Sequence, residues 1–225
     1  MRLARIALFI VLLAVLLVGG EPAYAQSKTL VWELYDVSLT VLPSGDLRVV
    51  ERQRIRFTSG TFTFGYATIP LSKTEGIDNV AISEPGGSQF QETSFGEEPY
   101  TFTTSTYEGD LEIRWFFPPT ANASRTFDLA YTVHGAIRVN DSGDKLQWFA
   151  IDNQRDFPIE SASVTVVLPA GAQFLVNPDS AGVEAAWGLS PDGSSVTYIA
   201  SRSLSPSDTF EIGVEFTHGV VPDVR

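Results

Sequence analysis

Glu51 is the residue of this chain best placed for acid–base chemistry. It follows Leu47 and Val49 and precedes Ile55 and Phe57 at even spacing, so it falls on the side of a strand that is otherwise apolar. A carboxylate there must be paired, protonated or at the rim of the sheet, and a buried one with a shifted pKa is a candidate catalytic group. Glycoside hydrolysis would need a second carboxylate about 5–9.5 Å away. The alternative is a structural, hydrogen-bonded glutamate.

Four arginines share the opposite side of the same segment: Arg48, Arg52, Arg54 and Arg56. On a chain with a net charge of −12, this basic stripe predicts an interaction surface for an anionic polysaccharide or for the acidic face of a protein. The alternative is pairing with Glu or Asp on neighbouring strands, at about 0.2–1 kcal/mol for each pair.

Oxygen ligands cluster in the segment 140–144, where Asp141 and Asp144 are weak candidates for binding Ca²⁺. The segment lacks the glutamate that ends an EF-hand loop, and its Asn, Asp and Gly residues also favour an ordinary hairpin turn. The two histidines, His134 and His218, have no metal-binding spacing, and no Gly-x-Ser-x-Gly motif occurs. We therefore predict a protein that is not an enzyme and that has no cofactor.

Aromatic residues are the other candidates for binding. Four tryptophans and fifteen phenylalanines could build a platform on which sugars stack. Trp115 and Trp148 lie among alternating apolar residues, which predicts that they belong to the core. Phe116 lies on the polar side of its segment beside Phe117 and two prolines, which predicts an exposed aromatic edge and an interaction surface there.

The elements that position these residues are strands. Apolar residues recur at every second position in segments such as 111–117, 127–133, 164–168 and 210–216. Turn sequences separate predicted strands 30–42 from 46–58, 100–106 from 111–117, and 183–188 from 195–200. This spacing predicts an all-β fold, an antiparallel β-sandwich. Residues 26–225 are expected to form one continuous domain, with an alternative boundary near 157.

The first 25 residues predict export. Arg2 and Arg5 precede an apolar run of 13 residues, 6–18, and Ala23-Tyr24-Ala25 is a small-x-small cleavage site. The run is shorter than the roughly 20 residues that span a bilayer, so 1–25 is predicted to be a cleavable signal peptide. The sequence contains no cysteine, so packing rather than disulfides must stabilise the exported domain.

The net negative charge of the chain argues against some classes of binding partner. Removing two arginines and one glutamate with the signal peptide changes the net charge from −12 to −13. A chain this acidic is unsuited to nucleic acid and to anionic lipid headgroups, because both are bound by basic patches. The partner is therefore predicted to be a protein or polysaccharide at the cell surface.

Ordered segments carry a family resemblance: GDLRVVER at 45–52, FTFGYATIP at 62–70, RTFDLAYTVHGA at 125–136, then LQW at 146–148 and the strand at 164–169. Together they are similar to the N-terminal domain of YciQ-like predicted bacterial membrane proteins, a family of unknown function. The resemblance implies a signal peptide, this β domain outside the membrane, and transmembrane helices after it; it supplies no catalytic residues. The chain departs from the family at Ala67, where relatives tend to carry Arg, and at 155–157, where they tend to have a Trp-containing stretch.

The leading hypothesis is a non-enzymatic extracytoplasmic domain for interaction or sensing at the cell surface. It would be membrane-associated through a downstream anchor, as in the family, or secreted if the chain ends at Arg225. The alternatives are a secreted carbohydrate-binding module, suggested by the aromatic residues, and a carboxylate-dependent glycoside hydrolase, suggested by Glu51.

Overall fold

The computed structural model describes residues 27–222. In this part of the chain, strands alternate with turns and loops throughout, and no helix is long and apolar enough to cross a membrane. The strands are β1 (Thr29–Val41), β2 (Leu47–Ser59), β3 (Phe62–Pro70), β4 (Gly76–Ser83), β5 (Gln91–Glu92), β6 (Thr101–Tyr107), β7 (Asp110–Thr120), β8 (Ala123–His134), β9 (Ile137–Arg138), β10 (Asp144–Ile151), β11 (Ala162–Val167), β12 (Asp179–Ala181), β13 (Ala185–Leu189), β14 (Ser195–Ala200) and β15 (Phe210–Phe216).

The strands form three sheets. A seven-stranded sheet has the order β13-β14-β11-β1-β2-β8-β4, and two four-stranded sheets have the orders β3-β7-β6-β5 and β12-β15-β10-β9. Strands are antiparallel except in the pairs β1–β11 and β5–β6, which are parallel. The chain on both sides of position 157 contributes to the seven-stranded sheet, because β11, β13 and β14 join β1 in it.

Both small sheets pack on one face of the large sheet. Phe117 of β7 lies 5.6 Å from Phe57 of β2 and 5.0 Å from Phe127 of β8, measured between ring centroids. Tyr198 of β14 donates its hydroxyl to the carbonyl of Gly213 on β15 at 3.0 Å. The buried apolar side chains of all three sheets belong to one cluster, so the layers enclose a common core.

The alternating sequence accounts for this arrangement. In β2 and β15 every second residue is buried, which is the pattern of a strand with one face on the core. The predicted turns also form: Gly45 has a φ of 89° between β1 and β2, and Glu108 and Gly109 both have positive φ between β6 and β7. The all-β prediction is confirmed; the predicted signal peptide, 1–25, lies outside the described residues.

Candidate functional site: an aromatic cavity above a buried glutamate

A cavity of about 540 Å³ lies against the inner face of the seven-stranded sheet, where the two small sheets leave a gap. Strands β1, β2, β3 and β10 and the segment 152–157 line it. Its walls are rich in aromatic side chains, among them Trp32, Tyr35, Trp115, Tyr131, Trp148 and Phe157. The volume falls within the roughly 300–1,000 Å³ of sites that bind small molecules.

Glu51 occupies the floor of this cavity and is only 7% exposed. The Tyr35 hydroxyl donates to its Oε2 at 2.6 Å, and the Tyr131 hydroxyl donates to its Oε1 at 2.8 Å. The Gln53 amide also donates to Oε2, at 3.1 Å, and its own oxygen accepts from the Trp32 indole at 3.1 Å. Glu51 is therefore the centre of a connected network rather than an isolated carboxylate.

Burial raises the pKa of Glu51 above its ordinary value, because desolvation penalises the charged form. The hydrogen bonds from Tyr35, Tyr131 and Gln53 act in the opposite direction, and the nearby charge of Asp152 raises the pKa further. The pKa values of Tyr35 and Tyr131 are raised by their own burial and then by the Glu51 charge. Both phenols therefore remain donors at neutral pH.

Sheet register places Glu51 among apolar residues. Val37 of β1 and Leu129 of β8 pair with it directly on either side, so the carboxylate interrupts an otherwise apolar row across the inner face. Tyr35 pairs with Gln53 and Tyr131 pairs with Val49, which makes both tyrosines diagonal neighbours of Glu51.

A bulge in β1 completes the network. The β1–β2 register shifts between Trp32 and Leu34, so Glu33 is the extra residue. Because the bulge changes the parity of the strand, Trp32 and Tyr35 both line the cavity although they are three positions apart in the sequence. Sequence alternation alone places them on opposite faces, and neither residue was among the candidates from the sequence.

Arg155 fixes one wall of the cavity. Its guanidinium donates to the carbonyl of Asp208 at 2.9 Å and also to the carbonyls of Asp152 and Ser205. Desolvation lowers the pKa of Arg155. Its Nε is buried and has no hydrogen-bond partner within residues 27–222. Ala67 and the segment 155–157, where the sequence departs from the family pattern, both line this cavity.

The predicted arginine stripe lies on the opposite, outer face of β2. Arg52 forms a bidentate pair with Asp128, at 2.7 and 2.8 Å. Arg54 pairs with Glu33 at 2.9 Å, and Arg56 pairs with Glu160 at 2.7 Å. These three arginines pair with acidic residues, as the alternative in the sequence analysis expected. Arg48 lies half-buried on the same face. The structure therefore keeps the stripe away from Glu51; its role as an interaction surface stays a prediction.

The prediction of an exposed Phe116 is wrong, since its side chain is only 3% exposed. Phe116 lies in β7 between β3 and β6, and the Arg114 guanidinium is 5.2 Å from its ring centroid. Alternation identified its outer face but did not show that neighbours cover that face. Trp115 is 1% exposed, which confirms its assignment to the core, whereas Trp148 is partly buried and lines the cavity.

Asp144 is fully buried and serves the turn before β10. Its Oδ1 accepts from the backbone N–H of Asn140 at 3.1 Å and lies 3.0 Å from His218 Nδ1. Asp141 is exposed beside it, and no group of three or more potential ligands from His, Cys, Asp and Glu occurs within residues 27–222. The Ca²⁺ assignment of Asp141 and Asp144 thus gains no support, and the hairpin alternative describes the segment.

His134 lies between two carboxylates. Its Nδ1 is 2.7 Å from Asp46 Oδ1, and its Nε2 is 3.2 Å from Asp78 Oδ2. These hydrogen bonds raise the pKa of His134. The three residues join the turn before β2 to β4 and β8.

The fold and the site define an all-β domain with a buried polar network beneath an aromatic cavity. The chain belongs to the family described as predicted membrane protein (DUF2207) N-terminal domain, whose model matches residues 32–216. The resemblance seen in the sequence is thereby confirmed. No curated protein matches the chain.

Solved structures give only distant similarity. The M1 zinc metallopeptidase of Deinococcus radiodurans is 11% identical, with a TM-score of 0.45 over 83% of this chain and 43% of that one. Yeast LTA4 hydrolase is 9% identical, with a TM-score of 0.49 over 86% of this chain and 31% of that one. The chain therefore spans less than half the length of either protein, and similarity at this level carries no argument about activity.

Proposed function

We propose that this chain is the non-enzymatic, extracytoplasmic recognition domain of a membrane protein and that its ligand binds in the aromatic cavity. The observation that carries the proposal is the coincidence of a cavity of about 540 Å³ with the buried network of Glu51. An apolar pocket with a few convergent polar groups and a shifted pKa is the usual form of a binding site.

The contacts of Glu51 support recognition over hydrolysis. Its two oxygens already accept from Tyr35, Tyr131 and Gln53. A general acid must direct its proton at the substrate, and a nucleophile needs a free lone pair aimed at the reacting atom. A carboxylate that accepts from three donors is better suited to holding the tyrosines in place. Its Oε1 accepts only one of these hydrogen bonds, so one lone pair of Oε1 is left for a donor on a ligand.

Carbohydrate binding is the second candidate, because Phe64 and Tyr66 of β3 are 38% and 57% exposed and line the cavity. Sugars stack on bare aromatic faces. The Arg114 guanidinium lies 4.0 Å from the Phe64 centroid and covers one of its faces. Tyr66 is therefore the better sugar platform of the two.

Tryptophan fluorescence tests the proposal, because Trp32 and Trp148 line the cavity. We would titrate the mature chain with cellohexaose, phenethylamine and the peptide acetyl-EVEFEVE-amide. The proposal expects a saturable change with at least one probe, lost in Ala67→Phe, which fills the cavity. The matched control is Ala185→Phe, because Ala185 is also partly buried against the core but lies on β13.

Two results would overturn the proposal. One is that no probe gives a saturable change. The other is that Ala67→Phe and Ala185→Phe bind a probe equally well, since the bound probe would then lie elsewhere on the domain. Release of glucose from cellohexaose would overturn its non-enzymatic part.

A further inference from the structure

Two strands border the cavity along their edges. Every residue of β3, from Phe62 to Pro70, lines it, and so does every residue from Gln147 to Ile151 of β10. Side chains of a strand point alternately to its two faces, so a cavity over one face contacts every second residue. Contact with consecutive residues therefore means that the cavity runs beside the backbone of β3 and of β10.

Both strands lie at the border of their sheets. Within residues 27–222, β3 is the terminal strand of its sheet and pairs only with β7. In the same part of the chain, β9 pairs only with Lys145 and Leu146 of β10. The residues of β10 that line the cavity, 147–151, therefore lie beyond the end of β9. The two small sheets form one layer over the large sheet, and the cavity is the place where that layer is interrupted.

We infer that an extended peptide binds in this gap as an additional strand beside β3. The inference rests on the proposed function and names its ligand. The unpaired edge of β3 offers backbone donors and acceptors, which is the basis of strand addition in other peptide-binding domains. At about 3.3 Å per residue, the nine residues of β3 span about 30 Å, which is long enough to pair with a segment of about seven residues.

The lining determines the chemistry of the peptide. Inward-facing side chains would meet Trp32 and Trp148, which are only partly buried, so alternate residues of the peptide are apolar or aromatic. Outward-facing side chains beside β3 would meet Lys28, just before β1, and Lys73, just after β3, both of which are exposed at the cavity. The lining carboxylates Asp152 and Asp156 lie on the separate segment 152–157. The other residues of the peptide are therefore acidic or neutral.

Backbone methylation separates strand addition from side-chain binding. Acetyl-EVEFEVE-amide is compared with two versions, one N-methylated at the apolar residues and one at the inner glutamates. In a strand, alternate amides point to opposite sides, so one pattern removes the donors that face β3. We expect that pattern to weaken binding at least about tenfold, because it removes two or three hydrogen bonds. Equal binding of all three peptides would overturn the inference.

Charge and position have their own controls. Acetyl-KVKFKVK-amide should bind at least about tenfold more weakly than the acidic peptide at low salt, since Lys28 and Lys73 would repel it. Tyr66→Ala, on β3, should weaken binding of the acidic peptide several-fold. Tyr107→Ala should leave it unchanged, because Tyr107 is equally exposed, at 62% against 57%, but lies on β6 beyond β7.

The failures can be told apart. If the peptide does not bind while cellohexaose or phenethylamine gives a signal that Ala67→Phe abolishes, strand addition is wrong and the recognition function stands. If no probe binds, both are wrong.

Discussion

Replacing Tyr131 with Phe tests whether Glu51 is held as a charged group in the native domain. The Tyr131 hydroxyl is the donor to Glu51 Oε1, at 2.8 Å, and both side chains are buried. A hydrogen bond to a charged group contributes about 1.5–3 kcal/mol, and one between neutral groups about 0.5–1.5 kcal/mol. For a domain of this size, about 1.5–3 kcal/mol corresponds to a fall in Tm of roughly 3–12 °C.

The destabilisation caused by Tyr131→Phe is expected to depend on pH. The folded-state pKa of Glu51 is raised, so the native state retains this proton to a higher pH than the unfolded chain does, and wild-type stability falls as pH rises from 4.5 through that pKa. Loss of the Tyr131 donor weakens the carboxylate more than the protonated acid. The destabilisation caused by Tyr131→Phe should therefore increase over the same pH window, by about 1 kcal/mol or more.

Tyr198→Phe is the matched control. Tyr198 is also a fully buried tyrosine, but its hydroxyl donates to the neutral carbonyl of Gly213. Urea unfolding of both variants between pH 4 and pH 9 should give a loss that depends on pH only for Tyr131→Phe. In a Glu51→Gln background that dependence should vanish. Equal losses for the two variants at every pH would refute the assignment of Glu51 as a buried, titrating carboxylate.

Three further outcomes are expected. Because the pKa of His134 is raised in the folded state, its stabilising contribution is present below about pH 6.5 and is lost as pH rises through the folded-state pKa. The difference in unfolding free energy between wild type and His134→Gln, measured by chemical unfolding, should therefore shrink between about pH 5 and pH 9. Gly65→Ala should destabilise by about 1–3 kcal/mol, because an added Cβ would lie 2.4 Å from the Trp115 ring, whereas Gly188→Ala, with open space around it, should be nearly neutral in the same assay. Arg54→Ala should cost no more than about 1 kcal/mol at low salt and less at 1 M salt, because its ion pair is exposed.

The sequence allowed the prediction of the sheets and showed that Glu51 is a polar residue on an otherwise apolar face. Alternation with period two is a local property, so the inner faces of β2 and β15 could be assigned without knowing their neighbours. The same alternation made Glu51 stand out, because a carboxylate within an apolar row must be explained by its contacts.

The partners of Glu51 could not be predicted in the same way. Tyr131 is 80 residues away in the chain and becomes a diagonal neighbour only through the pairing of β2 with β8. The face on which Trp32 lies could not be predicted from alternation, because the bulge at Glu33 inserts one residue and so reverses the parity of β1. Phe116 failed for a related reason: parity gives the face of a strand but not what covers it.

The cavity itself is a property of topology rather than of any segment. β3 and β10 are far apart in sequence, and each ends its pairing on the side that faces the gap, so the second layer of the sandwich is interrupted above the inner face of β2. The interruption leaves Trp32 and Trp148 only partly buried and leaves the edge of β3 without a partner strand among the described residues, and both features lower stability. A desolvated carboxylate on the floor of the cavity lowers stability further, and an apolar residue of similar volume would commonly be neutral or stabilising there. These costs at one place have a common explanation if the missing part of the layer is supplied by a ligand, because the same strand would fill the cavity, satisfy the edge of β3 and bring a donor to Glu51.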